Sequence, residues 1–402
     1  MTGTTRLYFD DPLLSRFEAR VIAHAKLGDW TSLVLDKTAL YPEAGGQMAD
    51  RGKIRWSGGE AAVVDVQVDD DGVVHHRLGG AELPPVGAEL AGEIDMSRRR
   101  VHMALHTGQH MLSRGLLDEA SAPTVSARLG DNVATIDLDV PALDESAVAR
   151  GEALVNAVID DDRPIRAFFP TASELAGLDL RRAPKVDRDV RVVDIDGFDI
   201  SPCGGTHCTR TAQVGLVKVT GVERYKGKMR ISFVAGARAR NELGRARDDL
   251  AALARDLTCG ASDVAGAVAK LRADLASVRD TNKRLGADLA ARVAAELAHD
   301  AESRGDTLVV AELPALGVEQ LRSIAGAVVA RLRGAVVLAS AGDEGKHVLI
   351  SRHAEHTLDC GKTLKAIAAA AGGRGGGRPE HAEGKLPSGA DVVALVQDAL
   401  AD

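Results

Sequence analysis

MSRRRVHMALHTGQHMLSRGLLD, residues 96–118, is the stretch on which the reading of the fold turns. Ser97 can offer its side-chain oxygen to the unpaired N–H groups of a helix start. Val101, Leu105, Leu112 and Leu116 follow at helical spacing, so the pattern predicts one helix with Ser97 as its N-cap. What precedes this stretch has a different rhythm. Runs at 31–35, 61–68 and 73–78 alternate or cluster β-branched residues, and Gly45-Gly46, Gly58-Gly59, Asp71-Gly72, Pro84-Pro85 and Gly87 punctuate them. Short strands with frequent turns predict a small barrel or curled sheet over residues 1–95, with a β-barrel preferred.

Downstream of the helix, strands are expected at 134–140, 190–195, 214–219 and 229–234, with a helix at 145–159, which makes residues 96–236 an α+β domain. Residues 237–303 follow another rule. Leu243, Leu250, Leu257, Val264, Leu271, Val278 and Leu285 recur every seven residues, with Val268, Leu275 and Leu289 interleaved. This is a coiled-coil seam, broken into two helices near Cys259-Gly260 and carrying Asn282, a polar residue of the kind that fixes register. Over 304–402, strands at 307–313 and 335–341 flank a helix at 318–333, an order that predicts a parallel pair in a small α/β domain. A third strand is expected at 347–351, and residues 372–379 form a glycine-rich loop. The fold class is therefore α+β: an N-terminal β-barrel, an α+β domain, a helical coiled-coil linker and a small C-terminal α/β domain.

The whole chain has 402 residues, enough for two to four domains, and its 45% hydrophobic content supports sizeable cores. No uncharged apolar run approaches the roughly 20 residues that cross a bilayer, and the opening MTGTTRLYFDD has no signal-peptide core. Four scattered cysteines make no disulfide framework and point to a reducing, cytoplasmic setting. A net charge of -8 argues against indiscriminate coating of nucleic acid. At 3% aromatic residues, rows of stacked rings are not expected to be the main binding device.

Inside the helix, His106-Thr107-Gly108-Gln109-His110 sets two imidazoles four residues apart, on one face and within reach of a single ion. Such a pair alone is more often core or solvated surface. His102 lies four residues upstream, as a further ligand, a supporting group or a mere neighbour. Farther on, Cys203-Gly204-Gly205-Thr206-His207 puts a thiol and an imidazole in a Gly-Gly turn, after Pro202, which bars a continuing helix. Together the two segments supply four borderline-soft donors of the type zinc takes. Cys208, adjacent to His207, is expected to point away.

The pairing of HTGQH with CGGTH resembles the editing domain of alanyl-tRNA synthetases and their free-standing relatives, the alanyl-tRNA editing hydrolases. Residues 38–47, Thr38-Ala39-Leu40-Tyr41-Pro42-Glu43-Ala44-Gly45-Gly46-Gln47, followed by Ala49-Asp50-Arg51-Gly52, are similar to the glycine motif of that family. Ala44 and Met48 stand where the family commonly has glycine and proline. The tail GGRGGGRP is similar to the DHH-associated C-terminal domain of the long form. The resemblance spans essentially the whole chain. It implies one zinc ion (Zn2+) per chain on His106, His110, Cys203 and His207, and hydrolysis of the ester joining a wrong amino acid to alanine tRNA. Serine is the chief misacylated residue and glycine a further candidate. Nothing before the barrel resembles an aminoacylation core, so ATP-dependent charging is not expected. A zinc-bound water, its pKa lowered toward about 7, suits ester hydrolysis. Four protein ligands make a closed site, whereas catalytic zinc usually keeps three plus water. Either one ligand leaves, the coordination expands, or the metal only positions the substrate.

Specificity needs a separate device. Alanine is smaller than serine, so a steric sieve fails and the site must reward the extra hydroxyl with a hydrogen bond. Thr38 is the first candidate; Gln47 and Ser126 follow, with Gly45 and Gly46 shaping the turn. For the mischarged alanine tRNA, residues 210–245 hold nine Lys or Arg, among them Lys226, Lys228 and Arg230, against two acids. Such an excess supplies phosphate contacts without sequence reading. Arg98, Arg99 and Arg100 oppose the helix dipole, which favours a phosphate-facing role, and Arg374 and Arg378 would grip the tRNA, as the resemblance implies. The seam serves either a homodimer or internal packing. The competing readings are a catalytically inactive tRNA-binding protein that keeps the editing fold, and an unrelated metallohydrolase.

Overall fold

The computed structural model describes residues 3–80, 82–313, 316–342 and 345–401. The chain divides into two compact units, Met1–Ala252 and Leu253–Asp402.

In the first unit a closed six-stranded barrel is formed by β1 (Arg16–Leu27), β2 (Trp30–Leu35), β3 (Gly52–Trp56), β4 (Gly59–Val68), β5 (Val74–Gly79) and β6 (Glu89–Ile94). The strands close in the order β1-β2-β5-β4-β3-β6, so no edge is left unpaired. Leu33, Leu35, Ile54, Val66 and Val74 fill the interior. Between β2 and β3 the chain leaves the barrel as the glycine motif.

The helix predicted at 97–118 is α1 (Met96–Ala120). Its N-cap is Asp95 rather than Ser97: the Asp95 carboxylate accepts from the N–H groups of Ser97 and Arg98 at 3.0 and 3.1 Å. A carboxylate also answers the helix dipole, which favours Asp95 at this end of α1. β7 (Thr124–Leu129), β8 (Ala134–Leu138), α2 (Glu145–Asp160), β9 (Ile165–Phe168), β10 (Val192–Ile195), β11 (Asp199–Pro202), β12 (Val217–Tyr225) and β13 (Lys228–Ala235) follow. They form an antiparallel sheet ordered β12-β13-β8-β7 and a smaller one ordered β9-β10-β11. Leu105, Leu112 and Leu116 of α1 share one core with Val155 and Val158 of α2 and with Ile136, Ile231 and Phe233 of the larger sheet.

Two helices follow, α3 (Gly236–Asp256) and α4 (Val264–Arg304), interrupted where Cys259-Gly260 was expected to break the seam. On α4 the heptad residues Leu271, Leu275, Val278, Leu285 and Leu289 are all exposed, while Ala290, Ala294 and Ala301 are buried.

The second unit carries β14 (Leu308–Leu313), α5 (Val318–Leu332), β15 (Ala335–Gly342), β16 (Gly345–Arg352), α6 (Cys360–Ala371), β17 (Arg374–Arg378), β18 (His381–Leu386) and α7 (Val392–Ala401). The sheet order is β14-β15-β16-β18-β17, and β14 and β15 are parallel, as the strand-helix-strand order predicted. Alternate residues of β15 serve opposite layers, as strand geometry requires. Val336 and Leu338 pack with α4 and α5, whereas Val337 and Ala339 pack with α6 and α7. The glycine-rich segment expected as a loop forms the edge strand β17 along residues 374–378, antiparallel to β18 from Arg374 opposite Lys385 to Arg378 opposite His381. Backbone pairing to β18 supplies the order that the glycine-rich composition does not suggest.

Candidate metal centre and adjoining cleft

α1 brings His106 and His110 to one face, and the turn after β11 brings Cys203 and His207 to meet them. One ligating atom from each of the four lies within 4.8 Å of all the others. Cys203 Sγ is 3.4 Å from His106 Nε2 and 3.3 Å from His207 Nε2. The three histidines are almost fully buried.

Two of the imidazoles are aimed by what holds their other nitrogen. His106 Nδ1 donates to Gln47 Oε1 at 2.7 Å, which leaves Nε2 as the free lone pair. Gln47 is enclosed, and its amide also ties down the turn: Thr206 N–H donates to Oε1 at 3.2 Å, and Gln47 Nε2 donates to Thr206 Oγ1 at 2.7 Å. His207 Nδ1 meets Thr107 Oγ1 at 3.2 Å. Among the described residues His110 Nδ1 has no hydrogen-bond partner; it lies 3.6 Å from Asp199 Oδ2. Asp199 is buried and is itself held by Arg181 at 2.6 Å. Burial alone would raise the Asp199 carboxyl, but His110 and Arg181 outweigh it and hold the group well below the usual range. Burial likewise opposes the Cys203 thiolate, and the charges of His106, His207 and His110 reverse it, taking the thiol well below its ordinary value. Burial pushes His207 down to about 3, so it stays a neutral imidazole. One thiol and three imidazoles, with Gln47 behind His106 and Thr107 behind His207, are a donor set and outer support of the kind a tetrahedral zinc takes.

The turn itself is shaped for this contact. A Cβ on Gly205 would sit 2.1 Å from His106 Cε1 and 2.3 Å from Nδ1, so only glycine fits. Arg191, buried, donates from Nη1 to the carbonyls of Cys203 and Gly205 at 3.1 and 2.9 Å and holds the turn from the other side. The glycine motif is docked equally tightly. Gly46 has φ +85°, and a Cβ there would lie 2.5 Å from the Ala127 carbonyl oxygen. Arg99, fully buried, joins α1 to this motif by bonding both carboxylate oxygens of Asp50 and donating to the Ala39 carbonyl at 2.6 Å.

A cleft of about 980 Å³ opens beside the cluster, and His106, Cys203, Gln109, Ser126, Gly45 and Gly46 are among its walls. Aromatic residues are scarce in the chain, yet Tyr8, Phe9, Tyr41 and Phe169 all line this one cleft, together with Arg6, Arg182, Lys185 and Arg191. Phe9 meets Phe169 edge-on at 5.6 Å and lies 4.9 Å from the Arg191 guanidinium.

The other expected residues fall elsewhere. Thr38 is enclosed, with its hydroxyl 2.9 Å from His76 Nε2 and accepting from Leu40 N–H; it is not among the cleft walls. His76 Nδ1 donates to the Leu33 carbonyl, so Nε2 is the acceptor and Thr38 the donor. Ser126 lines the cleft, but its hydroxyl donates to Asp137 at 2.8 Å. His102 is buried outside the metal cluster, 3.5 Å from Asp131. Cys208 is buried, and its N–H donates to Thr107 Oγ1. Arg98 donates to the Ala49 carbonyl and to Asp131, so Arg98 and Arg99 are held internally and do not face phosphate. On the hairpin β12–β13, Arg230 is paired with Asp137 and Lys228 with Asp139, and the Arg230 guanidinium stacks on Tyr225 at 3.4 Å. Lys226 occupies the hairpin turn with φ +50°. Arg374 and Arg378 are exposed at the two ends of β17. The residues that sequence reasoning passed over are Asp199, Arg181 and Arg191, which support the cluster, and Gln109 and Phe169 in the cleft. The alternation before Cys203 could have marked Asp199 as inward-facing; nothing local marks the others.

Three family models match the chain: "tRNA synthetases class II (A)" over residues 13–98, "Threonyl and Alanyl tRNA synthetase second additional domain" over 190–232, and "DHHA1 domain" over 305–402. Among curated proteins it is similar to the alanine–tRNA ligase of Methanopyrus kandleri, 30% identical over 99% of this chain and 44% of that protein. The alanine–tRNA ligase of Pyrobaculum neutrophilum is 33% identical over 95% of this chain and 42% of its own length. The chain thus spans less than half the length of these relatives. A solved C-Ala domain of Aquifex aeolicus alanyl-tRNA synthetase aligns with 24% of this chain and 91% of its own, at 20% identity and a TM-score of 0.22, too low to carry weight. Domain matches along the chain, relatives that align with nearly all of it, and the two histidine-bearing motifs agree: the chain belongs to the family of alanyl-tRNA editing proteins related to the alanyl-tRNA synthetases.

Proposed function

We propose that this chain is a trans-acting hydrolase that removes serine from mischarged alanine tRNA, with glycine as a further candidate. The observation that supports this reading most is the four-donor cluster bordering a cleft that combines aromatic rings with cationic side chains. An aminoacylated tRNA end presents an ester, a sugar, a purine and phosphates, and such a cleft has a complementary feature for each. Zinc held by His106, His110, Cys203 and His207 would polarise the ester carbonyl or lower the pKa of water toward about 7. The chain does the rest. Gln47 fixes the direction of His106, and Thr107 that of His207; Arg191 and Gly205 set the position of the Cys203 turn. The half-exposed ring of Phe169 offers a face for the terminal base, beside Arg182 and Lys185. Lys226, on the tip of the β12–β13 hairpin, together with Arg374 and Arg378, supplies charge for the tRNA backbone, whereas Lys228 and Arg230 are paired with Asp139 and Asp137. Thr38 acts at a distance, by holding the start of the glycine motif against His76.

The test is release of serine from serine-charged alanine tRNA by zinc-loaded protein. The wild type should release it, and His106→Ala should not. If both leave the ester intact while tRNA still binds, the chain is instead a tRNA-binding protein that keeps the editing fold.

A further inference from the structure

Discrimination between serine and alanine requires an uncommitted hydrogen-bonding atom in the cleft, and most of the polar side chains near the cluster are already committed. Gln47 uses both ends of its amide on His106 and Thr206. Ser126 donates to Asp137, Thr38 bonds His76 and Leu40 N–H, and the Tyr41 hydroxyl donates to the Ala44 carbonyl. Gln109 differs. It lies on α1 three residues after His106, hence on the same helical face, and it lines the cleft while being only 7% exposed. Its Nε2 donates to Ser113 Oγ at 2.8 Å, and Ser113 Oγ is in turn held by Thr124 Oγ1 at 2.8 Å. The amide is thereby pinned at one end, and its Oε1 has no hydrogen-bond partner among the described residues.

We propose that Gln109 is the residue by which the cleft tells a seryl from an alanyl ester, its Oε1 accepting the serine hydroxyl. This rests on the editing reading above. An alanyl ester would cover the same oxygen with a methyl group and leave an acceptor stripped of water and unpaired. Because Ser113 fixes the amide, the oxygen is presented without the entropy of orienting a free side chain, which sharpens the difference between the two esters. Two other nearly buried cleft residues have a polar atom without a hydrogen-bond partner among the described residues: Arg191, whose Nε is a donor and cannot also accept the serine proton, and Tyr8. Tyr8 is the one whose hydroxyl can be removed without disturbing the Cys203 turn. It sits in the aromatic group, 4.8 Å from Phe9 and 5.3 Å from Tyr41, and serves as the control.

The experiment measures binding of two non-hydrolysable probes, 3′-seryl- and 3′-alanyl-amide-linked adenosine, to zinc-loaded protein by calorimetry, with zinc content and melting temperature recorded for each variant. Wild type should bind the seryl probe at least about tenfold more tightly, the worth of one satisfied hydrogen bond. Gln109→Met should lose that preference through weaker seryl binding alone, Ser113→Ala should reduce it, and Tyr8→Phe should keep it. Unchanged seryl preference in Gln109→Met, or its loss in Tyr8→Phe, overturns the assignment while leaving the editing reading in place. Failure of wild type to bind either probe overturns both.

Discussion

Replacing Gly205 by alanine isolates the central contact of the site. The added Cβ would fall 2.1 Å from His106 Cε1, 2.3 Å from Nδ1 and 3.1 Å from Gln47 Oε1. Ordinary contact begins near 3.4 Å, so the imidazole must retreat by more than an ångström. A metal–nitrogen bond tolerates only about 0.2 Å, so His106 is lost as a ligand. The retreat also breaks the bond to Gln47, whose loss as an outer support costs roughly 10–100-fold in metal affinity by itself. Zinc affinity should therefore fall by at least about 100-fold, or about 2.7 kcal/mol. Gly204→Ala is the matched control, because no atom lies within 4 Å of a Cβ at that neighbouring position. The assay is competition for zinc against a chelator of known affinity, with circular dichroism to show that both variants fold. The reasoning is refuted if Gly205→Ala binds zinc within about threefold of wild type, or if Gly204→Ala is equally impaired.

Three other outcomes follow from the geometry. Burial holds His76 at about 4 in the folded protein against an ordinary 6.5, so the unfolded chain binds the extra proton between these values and stability rises with pH there. The contribution is complete above pH 6.5 and is lost as pH falls toward 4, up to about 3 kcal/mol; urea titrations of wild type and His76→Gln should differ in slope over that window, and parallel curves would count against it. Leu271, Leu275, Val278, Leu285 and Leu289 form an exposed heptad stripe with Asn282 on its seam, which suits a second copy of the chain. Sedimentation should show a dimer that Leu275→Glu with Leu285→Glu converts to monomer; a wild-type monomer would refute it. Phe169→Ala should raise KM for aminoacylated tRNA by roughly 5–100-fold with little change in kcat, as expected from the loss of one base–aromatic stack, and unchanged KM would remove Phe169 from the binding surface.

What could be read from the sequence is what short-range spacing encodes. Histidines four apart on a helix, and a cysteine and histidine flanking two glycines, announce donors regardless of the rest of the chain. The barrel was legible from its turn residues, and the parallel pair β14–β15 from strand-helix-strand order. Other roles depend on partners far along the chain. Arg99 reads as a surface cation until Asp50, 49 residues earlier, is folded against it. Thr38 reads as a free hydroxyl until His76 accepts its proton, and Gln109 reads as a spacer between ligands until Ser113 pins its amide. Composition is silent on clustering: aromatic residues are only 3% of the chain, yet Tyr8, Phe9, Tyr41 and Phe169 gather at one cleft. Glycine-rich sequence suggested a loop, but backbone pairing to β18 makes it a strand.

The proposed hydrolysis depends on three imidazole nitrogens and one thiolate sharing a single ion. X-ray absorption at the zinc edge of the loaded 402-residue chain reads that directly. It should show one equivalent of zinc with one sulfur at about 2.3 Å and nitrogens at about 2.0–2.1 Å, and the sulfur shell should vanish in Cys203→Ser. A protein that retains no zinc, or zinc surrounded only by oxygen and nitrogen in the wild type, would contradict it.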